Sequence, residues 1–361
     1  MAGPEIPFTR YIDAEGRAVA ALPNSAGTQV LTRLYREMVM ARRFDAKMIS
    51  LQRTGRIPTY PPTLGQEAFH IGLAHAMAED DALFPTYRDM PSQLARGITL
   101  AEALLILGGD ERGNDFAGPR ADFPQAIPIA TQVTHAVGAA YAMKLRGERR
   151  AALAIIGDGG TSKGDFYEAM NFAGVWRAPV VFAINNNGWA ISMPRDRQSA
   201  AGTLAQKSIA AGIPGEQADG NDAVAVYDVI GRALARARDG GGPSVVECLT
   251  HRLTDHSTAD DASRYRDPGP LSEQWKEEPV QRLRTYLSDE GLWSKEDEEQ
   301  LIAEIDSRLE ETVDGHAAST PPPPEAMFDH LYAEVPADLA GQRRQVMARF
   351  AGETGEGDGH G

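Results

Sequence analysis

In the stretch GDGGTSKGDFYEAMNFAGVWRAPVVFAINNNGWAIS, from Gly157 to Ser192, Asp158 stands among glycines after one apolar run, and Asn185, Asn186 and Asn187 close the next. These residue types suit a divalent cation. Asp158 offers a carboxylate and Asn187 an amide oxygen, and magnesium takes a few such ligands together with phosphate and water. Gly157, Gly159 and Gly160 let the backbone come close to a phosphate, which unpaired amides at a helix N-terminus would bind. Alone, Gly-Asp-Gly is a common turn and an asparagine run a common strand end. Their pairing across one strand–helix–strand unit is far more specific. The dinucleotide fingerprint G-x-G-x-x-G fails because Ser162 stands where its third glycine belongs, and no G-x-x-x-x-G-K-[ST] sequence occurs.

For Asp158 and Asn187 to meet, both must leave the same edge of a parallel sheet. AALAII (151–156), PVVFAI (179–184) and PSVVECL (243–249) are short, bounded apolar runs, as expected of strands buried on both faces. Helical patterns separate them at 162–176, 203–211 and 223–237. The alternation predicts an α/β fold with a doubly wound, mostly parallel sheet, whose ligands sit beyond the carboxyl ends of the strands. Upstream, Leu31, Leu34, Tyr35, Met38, Ala41, Met48 and Ile49 predict a long amphipathic helix ending near Gly55, and DDALFPTYRDM reads as a short strand leading into a loop. Residues 108–128 read as a surface loop, and the small residues Ala136, Gly138, Ala139, Ala140 and Ala142 mark a helix able to approach a neighbour closely. The expected organisation is an N-terminal arm (1–27), an α/β domain (28–270), a helical C-terminal extension (271–347) and a disordered tail (348–361).

The chain has 361 residues with 42% hydrophobic content, enough for one large domain or two ordinary ones. Lys and Arg total 36 against 51 Asp and Glu, and the net charge of −15 argues against nucleic-acid or acidic-membrane partners. The single cysteine, Cys248, excludes an internal disulfide framework and suits a reducing compartment. No apolar run has the length of a signal peptide core or a membrane span, so a cytoplasmic location is expected.

Gly157-Asp158-Gly159, followed at the next strand end by Asn186-Asn187, resembles the thiamine-diphosphate-binding motif. GQEA (65–68), TYRD (86–89), PIATQ (128–132), TLAQKSIAAGIPG (203–215) and HSTADDASRYR (256–266) extend the likeness over roughly residues 30–345. The chain resembles the alpha subunit of the heterotetrameric 2-oxo-acid dehydrogenases, the decarboxylating first component of the pyruvate and branched-chain complexes.

The resemblance implies thiamine diphosphate and Mg²⁺ as cofactors. It gives Asp158, Asn187 and the backbone carbonyl of Trp189 to the metal, and the amides of Gly159 and Gly160 to the diphosphate. It assigns Tyr87 and Arg88 to the diphosphate, the backbone at Ile127 and Ile129 to the aminopyrimidine ring, and catalytic His256 to the thiazolium region and acyl transfer. It also implies a beta subunit that supplies the activating glutamate, an α2β2 assembly, a lipoyl acyltransferase partner and a 2-oxo acid substrate, pyruvate first and branched-chain acids as the alternative. Some relatives carry a histidine where this chain reads GGDERGND, which makes Arg112 a candidate for the substrate pocket. Ser257 falls where mitochondrial relatives are phosphorylated and otherwise reads as a polar loop residue. His70, His75 and His135 are expected to pack. A non-catalytic subunit and a Mg²⁺-dependent phosphotransferase are the competing readings.

Overall fold

The apolar runs form strands because each is bounded by residues that stop both strand and helix, and both their faces are covered. The computed structural model describes residues 5–329 and 331–355. Its main strands are β1 (Phe8–Thr9), β2 (Ala82–Phe84), β3 (Ala152–Gly157), β4 (Val180–Asn186), β7 (Gly215–Asp219) and β8 (Ser244–Leu249), all in parallel pairings in the order β1-β7-β8-β4-β3-β2. Between β4 and β7, β5 (Trp189–Ala190) and β6 (Met193–Pro194) form a small antiparallel hairpin. In the β3–β4 register Gly157 lies opposite Asn185, so the residues that follow each strand emerge together at the carboxyl edge.

The helices are α1 (Thr28–Arg53), α2 (Glu67–Ala76), α3 (Met90–Arg96), α4 (Leu100–Gly108), α5 (Thr131–Leu145), α6 (Gly164–Trp176), α7 (Lys207–Ala210) and α8 (Ala223–Arg238), followed by α9 (Pro268–Gln274), α10 (Pro279–Asp289), α11 (Lys295–Ala317), α12 (Ala326–Asp329) and α13 (Ala337–Gly355). One sheet face packs on α5 and α6 through Val133, Ala136, Ala140, Phe166 and Met170. The other packs on α2 and α8 through Phe69, Leu73, Val226 and Ile230. The fold is therefore a doubly wound parallel α/β sheet. The lone Cys248 is fully buried on β8, where desolvation pushes its thiol pKa up.

The long first helix buries Leu31, Leu34, Tyr35, Met38, Ala41 and Met48, as its period predicts, in a separate cluster with Leu283, Leu287, Leu301 and Ile305 of α10 and α11. The compact unit accordingly runs to Val313, past the boundary expected at 270. A second unit begins at Asp314 and holds α12 and α13, with an Arg343–Asp329 ion pair of 3.1 Å. Helix α13 continues to Gly355, into the segment expected to be a disordered tail; the rest of that segment, 356–361, lies outside the described residues. Among the described residues, no helix is long and apolar enough to cross a membrane.

Two further departures have physical causes. The helix expected over 203–211 shrinks to α7 because the Ala205 amide donates to the buried Glu247 carboxylate and Lys207 turns inward to Thr161. Strand β7 escapes sequence patterning because its side chains are polar, Gln217 donating to Glu247 and Glu216 accepting from Thr9 and Arg232.

The N-terminal arm adds β1 to the sheet edge. It is held there by Asp222, whose Oδ2 accepts from the amides of Tyr11 and Ile12 at 2.7 and 2.9 Å. The same carboxylate caps α8, its Oδ1 accepting from the amides of Val224 and Ala225. Asp222→Ala removes the cap and strands the buried amide of Ile12 and the part-buried amide of Tyr11, and is expected to lower unfolding free energy by about 2 kcal/mol or more. A urea midpoint unchanged from the wild type would contradict that account.

Candidate functional site

Beyond the carboxyl ends of β3 and β4 lies a cavity of about 620 Å³. It is lined by the Gly157–Gly160 turn, by Asn187, Trp189 and Ile191 after β4, and by segments from the loops at 86–89 and 126–132, with His256. Of the residues expected at the site, Tyr87, Arg88, Ile129, Asp158, Gly159, Gly160, Asn187, Trp189 and His256 all line it. Ile127 and Arg112 do not. The first is 65% exposed, and the second pairs with Asp110 at 2.5 Å in the loop after α4.

Asp158 is 3% exposed. Its carboxylate has no salt bridge; Gln198 Nε2 approaches Oδ2 at 3.4 Å and backbone amides supply the rest. Desolvation dominates and pushes its pKa up to about 6, against the pull of the Gly159 amide. No group of three or more His, Cys, Asp or Glu side chains that could hold a metal exists among the described residues. A cation here would meet one carboxylate and neutral oxygens, and would need a bound anion to complete its shell.

The turn after β3 is shaped by contact. A Cβ on Gly159 would lie 2.4 Å from Ala190 Cβ of the β5–β6 hairpin, and one on Gly160 would lie 2.6 Å from Ile156 Cγ1. The buried Lys207 clamps the turn from behind, its Nζ donating to the carbonyl and hydroxyl oxygens of Thr161 at 2.8 and 2.9 Å. On the facing strand end, Asn187 Nδ2 donates to Gln66 Oε1 at 3.0 Å, and its Oδ1 accepts from the Trp189 amide at 3.2 Å.

Arg88, His256 and Tyr87 form another part of the lining. Arg88 is 7% exposed; it donates from Nη1 to the Pro62 carbonyl at 2.6 Å and from Nη2 to the His256 carbonyl and ring Nδ1 at 2.8 and 3.0 Å. An arginine can only donate, so Nδ1 is the acceptor and the imidazole proton sits on Nε2. Burial, reinforced by the guanidiniums of Arg88 and Arg252, pushes the His256 pKa down to about 4. Asp260 pins the loop, accepting from the His256 amide at 2.9 Å and from the Tyr265 hydroxyl.

Several residues of the site carry no signal of their own in the sequence. Arg252 is 1% exposed, donates from Nη2 to the Ile191 carbonyl and Tyr265 hydroxyl, and has Nε and Nη1 buried without partners. Gln66, Lys207 and Gln198 act through hydrogen bonds that only the folded chain brings together; Gln66 and Lys207 lie within the quoted GQEA and TLAQKSIAAGIPG stretches, which marked the region but not the roles. His70 is fully buried with its pKa lowered to about 3, and His75 pairs with Glu37 at 2.7 Å, so both pack; His135 is exposed on α5.

The family model described as "Dehydrogenase E1 component" matches residues 35–325. The chain is 41% identical over 323 residues to "3-methyl-2-oxobutanoate dehydrogenase subunit alpha" of Mycobacterium tuberculosis, covering 90% of this chain and 88% of that one. It is 40% identical over 339 residues to "Pyruvate dehydrogenase E1 component subunit alpha" of Staphylococcus epidermidis, and 41% identical over 339 residues to the protein of the same name from Staphylococcus aureus, covering 93% of this chain and 91% of each relative.

Two outcomes follow from the electrostatics. The raised Asp158 pKa means the folded state loses stability as pH climbs from the ordinary 3.8 to about 6, and the full cost stands above that. Asp158→Asn is therefore expected to stabilise the metal-free protein at pH 8 by about 1–3 kcal/mol, read as a higher thermal midpoint. For His256 the folded pKa lies below the unfolded value of 6.5, so its contribution to stability is complete above that pH and is lost as pH falls toward about 4. Nitrogen-15 NMR should show a neutral ring with Nε2–H down to about pH 5, and Arg88→Ala should move the titration back toward 6.5.

Proposed function

Since the chain belongs to the dehydrogenase E1 component family, we propose that it is the alpha subunit of the first, decarboxylating component of a 2-oxo-acid dehydrogenase complex, binding thiamine diphosphate through Mg²⁺. The observation that carries this reading is the Asp158 carboxylate, buried without a salt bridge, at the strand end beside the one that presents Asn187. A hard cation that brings its own phosphates fits that donor set.

Under this reading Asp158, Asn187 Oδ1 and the Trp189 carbonyl would hold Mg²⁺, with the amides of Gly159 and Gly160 turned to the diphosphate. Tyr87 and Arg88 would close on it from their part of the lining, and the backbone at Ile129, with Ile127 at the rim, would meet the aminopyrimidine. Bound thiamine diphosphate supplies the electron sink that lets a 2-oxo acid lose carbon dioxide and pass its acyl group to a lipoyl disulfide. His256 is kept neutral by burial, with Arg88 and Arg252 beside it, so that its Nε2–H would donate a hydrogen bond without bringing a positive charge.

The cavity lining holds no glutamate, which supports a partner beta subunit as the source of the one that activates the cofactor. Exposed apolar side chains supply a surface for it. Ile129 and Ile191 line the cavity with Ile127 at its rim, and on α5 and α6 exposed Phe172 and Trp176 stack together, with half-buried Tyr141 against Trp176 and exposed Val175 beside them. The assembly is read as α2β2, delivering its product to a lipoyl acyltransferase. Pyruvate is the proposed substrate. The branched-chain reading is kept because the Mycobacterium tuberculosis relative, 41% identical, bears a 3-methyl-2-oxobutanoate name.

The test copurifies the chain with its beta subunit and titrates Mg²⁺ and thiamine diphosphate by calorimetry. Binding should require both, and Asp158→Ala or Asn187→Ala should weaken it by about a hundredfold or more, since even outer-shell changes cost 10–100-fold. Comparing kcat/KM for pyruvate and 3-methyl-2-oxobutanoate then decides the substrate. Binding of a nucleotide in place of thiamine diphosphate would instead favour the phosphotransferase reading.

A further inference from the structure

Gln66 does not line the cavity, yet its side chain is wholly buried behind it and takes hydrogen bonds from both Asn185 and Asn187. The orientation of these amides follows from one unambiguous donor. The Trp189 backbone N–H can only donate, so the atom of Asn187 that meets it is Oδ1, and Nδ2 must face Gln66. Gln66 therefore turns Oε1 toward Asn187. The same oxygen accepts from Asn185 Nδ2 at 3.0 Å, and Asn185 Oδ1 in turn accepts from the Thr250 hydroxyl at 2.6 Å.

This arrangement leaves Gln66 Nε2 buried with no acceptor. A buried donor without a partner is a standing cost, so the position is not explained by the glutamine's own satisfaction. What it secures is an acceptor placed against two asparagine donors. The backbone beneath it is fixed as well. Gly65 adopts φ +90, where a Cβ would lie 2.4 Å from the His251 carbonyl, and its amide donates to Glu67, itself paired to Arg42 at 2.6 Å.

We infer that Gln66 is a positioning residue, which holds Asn187 so that Oδ1, and not Nδ2, is offered to the cation. The inference rests on the reading of this site as a Mg²⁺-diphosphate centre. An asparagine amide can rotate by half a turn at little steric cost, and the flipped form would present two N–H donors to the metal with no lone pair. Accepting from Nδ2 opposes that flip, as outer-shell hydrogen bonds do for other metal ligands.

The experiment uses the full-length chain copurified with its beta subunit and measures Mn²⁺ affinity by electron paramagnetic resonance at saturating thiamine diphosphate. Gln66→Leu should weaken Mn²⁺ binding about 10- to 100-fold, while Gln66→Glu, which keeps an acceptor, should bind within about threefold of the wild type. In an Asn187→Asp background the two carboxylate oxygens are equivalent, so adding Gln66→Leu should change affinity by less than about threefold. If Gln66→Leu does not fold, Gln66→Met keeps the chain length without the acceptor and carries the same comparison. Wild-type affinity in the Leu or Met variant, or an equal loss in the Asn187→Asp background, overturns the inference and leaves the metal site standing. Failure of the wild type to bind Mn²⁺ with thiamine diphosphate overturns the site reading and this inference with it.

Discussion

A carboxylate taken out of water without a salt bridge is the constraint around which this protein is built. Asp158 comes to rest there because β3 and β4 are parallel neighbours in a register that ends both at the same level. The surrounding groups do not neutralise it. Arg252 lies buried with two donors unanswered, yet makes no ion pair with Asp158, and Gln66 leaves a donor idle to fix a neighbour. Charge held apart in a dry, rigid setting is electrostatic preorganisation, and its cost falls on the fold itself.

Strands β3, β4 and β8 were legible because they are short, bounded apolar runs, and β3 and β4 also end abruptly in Gly-Asp-Gly and asparagine. The long first helix was legible for the same kind of reason, since its apolar stripe keeps a 3.6-residue period. Strand β7 was not, because GEQAD satisfies its polar side chains through Thr9, Arg232 and Glu247, which are distant in sequence. Hydrophobic patterning has no access to a strand stabilised by polar pairing to distant residues. The same limit hid Gln66, Lys207 and Arg252, whose roles exist only as long-range hydrogen bonds. Asp158, Asn187, Arg88 and His256 were reachable through their motifs, and the fold brings all of them to one cavity, while Ile127 stays at its margin and Arg112 well outside the lining.

Two of the three non-glycine residues with positive φ among the described residues lie at the cavity; the third, Arg177, ends α6. Ala130 and Ile191 are left-handed at φ 72 and φ 54, and both line the cavity. For a β-branched isoleucine such a conformation costs on the order of 1–3 kcal/mol. The hairpin that bears Ile191 also presses Ala190 against Gly159, and the Ile191 carbonyl receives Arg252. The strained turn thus ties the strand end that bears Asn187 to the loop that carries His256, through Arg252 and Tyr265.

The solitary thiol of Cys248 occupies the interior of β8, between β4 and β7 and sealed by helices on either side. A reagent in solution cannot touch it while those neighbours stay paired. Alkylation of this one sulfur therefore works as a stopwatch for separation of the sheet's centre, blind to fraying at the arm or in the charged helices, and needs no engineered label.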